Sequence, residues 1–301
     1  MRLTGGSRDT DIELGGATVA ITGAGRGIGK ATARAFLDRG AKVAIGDLDL
    51  AVAKAAATEL GTGRGDSVAA VGFGMDVADP VAFEAFLDEV EGQLGPVDIL
   101  VNNAGIMPIG PFLGQDAAQA RRTVDVNLHG VLNGVRAVLP RMLRHGGGHI
   151  VNIASTAGKV ATPGGVLYAA TKHAVVGLSE GIRLEFGPKG IRVTTVLPSF
   201  TNTELISGTK GLRGVPTVEP EDVARAVVNA IERRRATVYV PRSLHASIWL
   251  NDLLPARVND AIMKLYRADT VFLDIDVEQR KAYDHRIQEP ADDQPNRPGL
   301  T

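Results

Sequence analysis

Tyr168 and Lys172 stand four positions apart, a spacing that on a helix places two side chains on one face, one turn from each other. A phenol with an unperturbed pKa near ~10 must fall by about 3 units, roughly 4 kcal/mol, before it can take a proton near neutrality. An ammonium group beside it pushes in that direction. The same pair is common on solvated helix faces, so the spacing alone leaves a purely structural role open. Thirteen residues before the tyrosine stands Ser155, in Val151-Asn152-Ile153-Ala154-Ser155-Thr156-Ala157-Gly158. A hydroxyl just past a β-branched run lies at the carboxyl end of a strand, where open α/β sheets bind ligands. Thr156 is the neighbouring hydroxyl, and the distance in sequence to Tyr168 favours Ser155.

A second cluster lies near the start of the chain, where Thr22-Gly23-Ala24-Gly25-Arg26-Gly27-Ile28-Gly29 runs into Lys30-Ala31-Thr32-Ala33. Glycines there let the backbone turn tightly and approach a pyrophosphate. The helix that follows offers unpaired N–H groups and a partial positive charge. The turn therefore suits a dinucleotide, although turns also collect glycine for conformational reasons alone.

Elements must exist to hold these groups. From Ala17 onward, short β-branched runs alternate with longer segments of helical period, which is the pattern of parallel strands joined by crossover helices. Strands are expected at Ala17–Thr22, Lys42–Gly46, Val68–Met75, Asp98–Val101, His149–Ile153, Ile191–Leu197 and Thr237–Val240. Helices are expected at Gly27–Asp38, Asp49–Leu60, Asp79–Gln93, Ala117–Leu143, Gly165–Phe186 and Glu219–Arg233. Right-handed crossovers turn this order into an α/β fold, a single doubly wound parallel sheet of about seven strands with helices on both faces. After Val240 the pattern changes to Leu, Ile and Trp249 at helical spacing. The expected divisions are a flexible N-terminus over 1–14, a Rossmann-like catalytic domain over 15–240, a helical extension over 241–287 and a disordered tail over 288–301 with Pro290, Pro295 and Pro298.

The chain has 301 residues, with 33 basic against 34 acidic side chains and a formal net charge of −1. That balance gives no long-range attraction for phosphate backbones and argues against nucleic-acid binding. With no cysteine, disulfides, thiolate nucleophiles and Cys-ligated metals are excluded. The first fourteen residues carry Arg2, Arg8, Asp9, Asp11 and Glu13 without an apolar core, so no secretory signal is expected and a cytoplasmic location follows.

With its T-G-x-x-x-G-I-G turn, Asn102-Asn103-Ala104-Gly105 after the fourth expected strand, Asn127 in Val126-Asn127-Leu128, Ser155 and Tyr168-x-x-x-Lys172, the sequence resembles the short-chain dehydrogenase/reductase family. The resemblance spans roughly Leu14 to Val240. It implies an oxidoreductase acting on CH–OH donors with NAD(P), needing no metal. Tyr168 is then the general acid/base and Lys172 lowers its pKa and binds the nicotinamide ribose. Ser155 hydrogen-bonds the substrate oxygen, and Asn127 positions a water for proton relay. The cofactor-binding set comprises Gly23, Gly25, Arg26, Gly27, Ile28, Asp47, Asp76, Val77, Asn103, Ala104, Gly105, Tyr168, Lys172, Pro198 and Thr203. The family usually has glycine after the proline of the sixth strand, where this chain has Ser199, and Thr203 suits the carboxamide contact better than Thr201.

Asp47 ends the second expected strand, where an acidic residue holds the adenosine ribose hydroxyls. A carboxylate ~4 Å from a 2′-phosphate costs about 4 kcal/mol at an effective dielectric of ~20, so NAD is favoured over NADP. Arg26 leaves the alternative open, and Asp49 suits the cap of the next helix better than Asp47 does. Residues expected to face the substrate are Ile106, Met107, Val160, Pro163, Phe200 and Leu205, together with Ser155. Their apolar character suggests a lipophilic alcohol or ketone. In the extension, Trp249 and Leu253, then Val258, Ile262, Leu265 and Tyr266 after Pro255, form amphipathic faces that need cover from the pocket, a neighbouring subunit or, as a minority reading, a membrane surface. A homotetramer or homodimer through the two long helices is implied by the resemblance. The rival reading is a non-catalytic NAD-sensing or scaffold protein on the same fold.

Overall fold

A computed structural model of the chain describes residues 13–63, 69–251 and 253–288. The expectations for residues 1–12 and 289–301 lie outside them. Seven strands, β1 (Thr18–Thr22), β2 (Lys42–Asp47), β3 (Ala70–Gly74), β4 (Ile99–Asn102), β5 (Gly148–Ile153), β6 (Ile191–Pro198) and β7 (Thr237–Val240), form one sheet. Their order is β3-β2-β1-β4-β5-β6-β7 and every pairing is parallel, as the alternating pattern predicts. β1, β4 and β5 are buried at every position, which is why they read as continuous apolar runs and not as alternations.

Side chains of successive strand residues point to opposite faces, and each face has its own helical layer. Helices α1 (Gly27–Leu37), α2 (Leu50–Gly61) and α7 (Pro220–Glu232) pack Phe36, Leu60 and Val227 against Val19, Ile21, Ile45 and Val151. On the other face, α3 (Pro80–Leu94), α5 (Gly130–His145) and α6 (Val166–Phe186) bring Phe83, Val138 and Val175 onto Ala20, Leu100 and Ile150. Local chemistry sets several starts. The Asp49 side chain accepts from the N–H groups of Ala51 and Val52, and Asp79 from those of Val81 and Ala82 ahead of Pro80, so Asp49 is the cap its position suggested.

One expected element is corrected. The helix anticipated over Ala117–Leu143 is α4 (Ala117–Val124), a π-helical turn over Asp125–His129, and α5. Inside that turn Asn127 is fully buried and its side-chain amide grips the backbone of Ile106. One widened turn adds a residue without disturbing the apolar period on either side, so the pattern passes over it. The extension consists of α8 (Leu244–Asn251), α9 (Ala256–Leu265) and α10 (Val277–Gln288), the first two broken at Pro255. Helix α10 has too polar a sequence to stand out, because its buried stripe is Arg280, Tyr283 and Ile287. No helix among the described residues is long and apolar enough to cross a membrane.

His149, in β5, is buried, and its Nε2 lies 2.8 Å from Thr194 Oγ1. That hydroxyl spends its own proton on Arg235 O at 2.7 Å, so it accepts from the imidazole. Nδ1 meets no partner among the described residues. Burial pushes the ring down to about 3. The unfolded chain takes up a proton near pH ~6.5 that the folded one refuses, so stability falls as pH drops below that value. Going from pH 7 to pH 5 should cost the wild type about 2 kcal/mol more than His149→Gln, which carries no titrating ring. Urea titrations of both proteins at the two pH values measure this, and equal losses would contradict it.

Candidate active site

The strand order reverses between β1 and β4, and at their carboxyl ends opens a cleft of about 1060 Å³. Such a reversal leaves a crevice because the crossovers on its two sides lead away from each other. The glycine turn forms one wall. Gly23 and Gly27 have φ of +60° and +53°, in the left-handed region that side chains resist. A Cβ on Gly23 would come within 2.8 Å of Ala104 Cα, and one on Gly29 within 2.4 Å of Gly23 O. The turn thus lies directly against Asn103-Ala104-Gly105. Helix α1 begins after Arg26 with no side-chain cap, so its first N–H groups are left for an anion. This is the arrangement a pyrophosphate fits.

Asparagines tie the strand ends together. Asn103 Nδ2 donates to Thr22 O and Gly23 O, both at 2.9 Å, while Thr22 Oγ1 accepts from the N–H groups of Asn103 and Ala104. Asn102 donates to Asn152 and Asn152 to Ser179, each at 2.8 Å. At the tip of β2, Asp47 accepts from Gly25 N (3.0 Å) and Asp49 N (3.3 Å) and lines the cleft. Burial lifts its carboxyl above the usual range, against those two bonds and the nearby Arg26. Asp76 accepts from Ala78 N and pairs with Arg122 at 3.1 Å, with Val77 beside it on the cleft wall.

Tyr168, Lys172, Ser155 and Asn127 meet at the inner end of this cleft. Tyr168 and Lys172 are both buried on α6. Lys172 Nζ donates to Ile153 O at 2.9 Å and sits 5.6 Å from the centroid of the Tyr168 ring. Ser155 Oγ accepts from Ala157 N at 3.1 Å and reaches Tyr168. Asn127 does not face the cleft openly: its Oδ1 accepts from Ile106 N and its Nδ2 donates to Ile106 O, both at 2.8 Å, and to Thr171 Oγ1 at 3.1 Å. Gly105 runs between these groups, since a Cβ there would lie 3.3 Å from Asn127 Oδ1 and 3.5 Å from Lys172 Nζ.

The electrostatics of the pair differ from the expectation. Burial pushes the Tyr168 phenol up to about 12, with the Ser155 hydrogen bond pulling the other way, and drives Lys172 down to about 8. Desolvation disfavours whichever form is charged, and it is the largest influence on both groups here.

At the end of β6 Pro198, and beyond it Ser199, Phe200, Thr201 and Thr203, line the cleft. Serine replaces glycine at 199 without backbone strain, because among the described residues only Arg234 and Arg267 adopt positive φ outside glycine. Thr203 Cγ2 lies 3.3 Å from where a Gly27 Cβ would be, which brings it over the glycine turn, while Thr201 Oγ1 turns back to Ser199 O. Ile106, Met107, Val160, Phe200 and Leu205 all line the cleft, but Pro163 lines a separate depression with Asn251 and Asn259.

The pocket is one of the covers expected for the extension, and Ile262 and Tyr266 do line it, but sequence reasoning missed Phe272 and Tyr283. Phe272 stacks on Phe200 with centroids 5.4 Å apart, and Ile248, Met263 and Tyr283 join the lining. The expected face of α8 is also corrected: Trp249 and Leu253 are each 63% exposed, and Leu244 and Ile248 turn inward instead. Phe272 sits in the short apolar run Val271-Phe272-Leu273 and Tyr283 among mostly polar residues, and neither pattern by itself assigns a side chain to a pocket.

The short chain dehydrogenase family model matches residues 17–210, and the chain belongs to that family. It is therefore an oxidoreductase acting on CH–OH donors. It is 40% identical over 234 residues to D-threitol dehydrogenase of Mycolicibacterium smegmatis, covering 74% of this chain and 88% of that one. Among solved structures it is similar to a short chain dehydrogenase/reductase from Burkholderia phymatum in complex with NAD, with a TM-score of 0.73 and 26% identity over 80% of this chain and 94% of the other. A putative short-chain dehydrogenase from Novosphingobium aromaticivorans matches over 91% of this chain and 95% of its own, at 29% identity and a TM-score of 0.71.

A buried ammonium with one carbonyl partner weighs against the fold. The folded pKa of Lys172 lies below the unfolded value, so the unfolded chain binds more protons between about 8 and ~10.5, and stability rises with pH across that window. Lys172→Met should unfold with about 1–3 kcal/mol more free energy at pH 7 and lose the alkaline rise. Chemical denaturation at pH 7 and pH 9.5 checks both, and a less stable variant would show that the Ile153 contact outweighs the cost of burial.

Proposed function

We propose that this protein interconverts a lipophilic secondary alcohol and its ketone with NAD as the hydride carrier and Tyr168 as general acid/base. The observation that carries this is the convergence of buried Tyr168 and Lys172 with half-buried Ser155, on the same cleft as the glycine turn and Asp47. When bound, oxidised nicotinamide supplies the hydride acceptor and a positive charge that favours the phenolate. Tyr168 takes the hydroxyl proton during oxidation and returns it during reduction. Ser155 donates to the reacting oxygen and holds it in line with the phenol. Lys172, anchored on Ile153 O, carries the positive charge that stabilises the ionised tyrosine and offers its remaining N–H donors to the ribose. Asn127 acts through Ile106 as a positioning residue, fixing the backbone next to Met107 in the cleft wall.

The glycine turn from Gly23 to Ile28, with the uncapped start of α1, would hold the pyrophosphate, with Asn103 to Gly105 beside it. Asp76 and Val77 would take the adenine side, and Pro198 and Thr203 the carboxamide. Asp47 favours NAD because its carboxylate stands where a 2′-phosphate would be repelled. Arg26, the cation that could offset it, lies 3.6 Å from Glu204, and the Burkholderia neighbour holds NAD. The apolar lining, with Met107, Val160, Phe200 and Phe272, supports a lipophilic substrate over a polyol of the kind named for the Mycolicibacterium relative. A scaffold role is disfavoured by the same cluster, since binding alone needs no buried phenol and ammonium side by side.

Tyr168→Phe should lower kcat by roughly 10³-fold and leave the Kd for NAD within about threefold, measured by absorbance of reduced cofactor and by calorimetry. Unchanged turnover would remove the proposed role. Asp47→Ser should narrow the preference for NAD over NADP by at least about tenfold, read from the ratio of kcat/KM with each dinucleotide. An unaltered ratio would show that selection lies elsewhere.

A further inference from the structure

Helix α10 lies outside the segment matched by the family model, yet it brings a phenol to the cleft. Arg280 fixes the helix there. Its side chain has no exposed surface. Nη1 donates to Leu205 O at 3.0 Å and Ser207 O at 3.2 Å, and Nη2 donates to Met107 O. Nε lies 3.0 Å from Asp284 Oδ1, close enough to pair though poorly aligned for a hydrogen bond. A guanidinium buried this deeply is tolerated only where its donors are met, so the loop carbonyls and the helix hold each other in one arrangement.

One turn further on, Tyr283 is 4% exposed, with the guanidinium carbons of Arg280 and Arg286 at 4.7 Å and 5.5 Å from its ring centroid. Its Oη accepts from Met107 N–H at 2.8 Å. That bond uses a lone pair and leaves the phenolic proton, which meets no acceptor among the described residues. Tyr283 lines the same cleft as Tyr168, near enough that an ionised Tyr168 would raise it further. Burial holds the phenol far above its ordinary value, so it remains a donor across the working pH range. A buried donor left unmet is costly, and a ligand oxygen in the cleft would meet it.

We propose that Tyr283 is a specificity-determining residue whose hydroxyl donates to a second oxygen of the substrate, on the carbon next to the one that reacts. The substrate class is a vicinal diol, or the matching α-hydroxy ketone, on a lipophilic skeleton. This rests on the proposed function, because it takes the reacting carbinol to lie at Tyr168. The neighbouring position follows from the anchoring: Met107 holds Tyr283, and Ile106, one residue earlier, is held by Asn127 beside Lys172. Both phenols line one cleft and lie within electrostatic reach of each other, so an oxygen beside the reacting carbon is the one placed to meet the second phenol.

The test compares styrene glycol with methyl phenyl carbinol, which lacks the second hydroxyl, using NAD and the full chain. The wild type should favour the diol in kcat/KM by about tenfold or more. Tyr283→Phe should lose that preference through KM for the diol, with kcat/KM for the mono-alcohol within about twofold, and the melting temperature should fall by a few degrees because Met107 N–H loses its acceptor. Equal losses on both substrates would overturn the proposal, since they would mark a structural role or a shared oxygen. A wild type with no preference would overturn it as well. Turnover of neither alcohol by the wild type would overturn the lipophilic-alcohol reading itself, and this inference with it.

Discussion

Polar groups at the carboxyl ends of β1, β4 and β5 are buried, and their donors have to find acceptors inside the protein. That requirement governs the whole inner end of the cleft. The amide donors of Asn102, Asn103 and Asn152 and the Thr22 hydroxyl are spent on backbone, on one another or on Ser179, and Asn127 is spent on Ile106, while Asn102 Oδ1 meets no partner among the described residues. An unmet donor here would cost as much as several good contacts return. The result is a rigid floor on which Gly23 and Gly105 can lie close to other backbone, and whose geometry is set before any ligand arrives.

On this floor the fold keeps an uncomfortable pair. Burial raises Tyr168 and lowers Lys172, so the surroundings favour a neutral phenol and weaken the hold on the ammonium proton. A site poised this way responds strongly to one added positive charge, because the low dielectric that opposes ionisation also amplifies the pairing. Stability and chemistry pull against each other at Lys172, as is common where a charge is buried for a task.

The outer wall has a different origin. Phe272 and Tyr283 come from the extension and meet Phe200 and Met107 across long stretches of chain. Gly164, with φ of +77°, admits Phe272, since a Cβ there would lie 2.7 Å from its carbonyl oxygen. Arg286 and Arg26 both approach Glu204, so the extension, the loop after β6 and the glycine turn are joined by charge as well as by packing. The common core carries the cofactor cleft, and this later segment shapes what can enter beside it.

Much was legible in the sequence by itself. Seven strands and the main helices follow from hydrophobic period, and Asp49 and Asp79 announce their caps. The glycine turn and the spacing of Ser155, Tyr168 and Lys172 mark the cleft, because these depend on residues within a turn or a strand of one another. Tertiary structure alone decided the rest. The π-turn at Asn127 depends on Ile106, 21 residues away, and the seat of Tyr283 on Met107, 176 residues away. The tension at Tyr168 and Lys172 depends on how completely the wall excludes water. Local pattern records which face a residue prefers, but a buried partner distant in sequence leaves no periodic trace, and only the folded chain brings the two together.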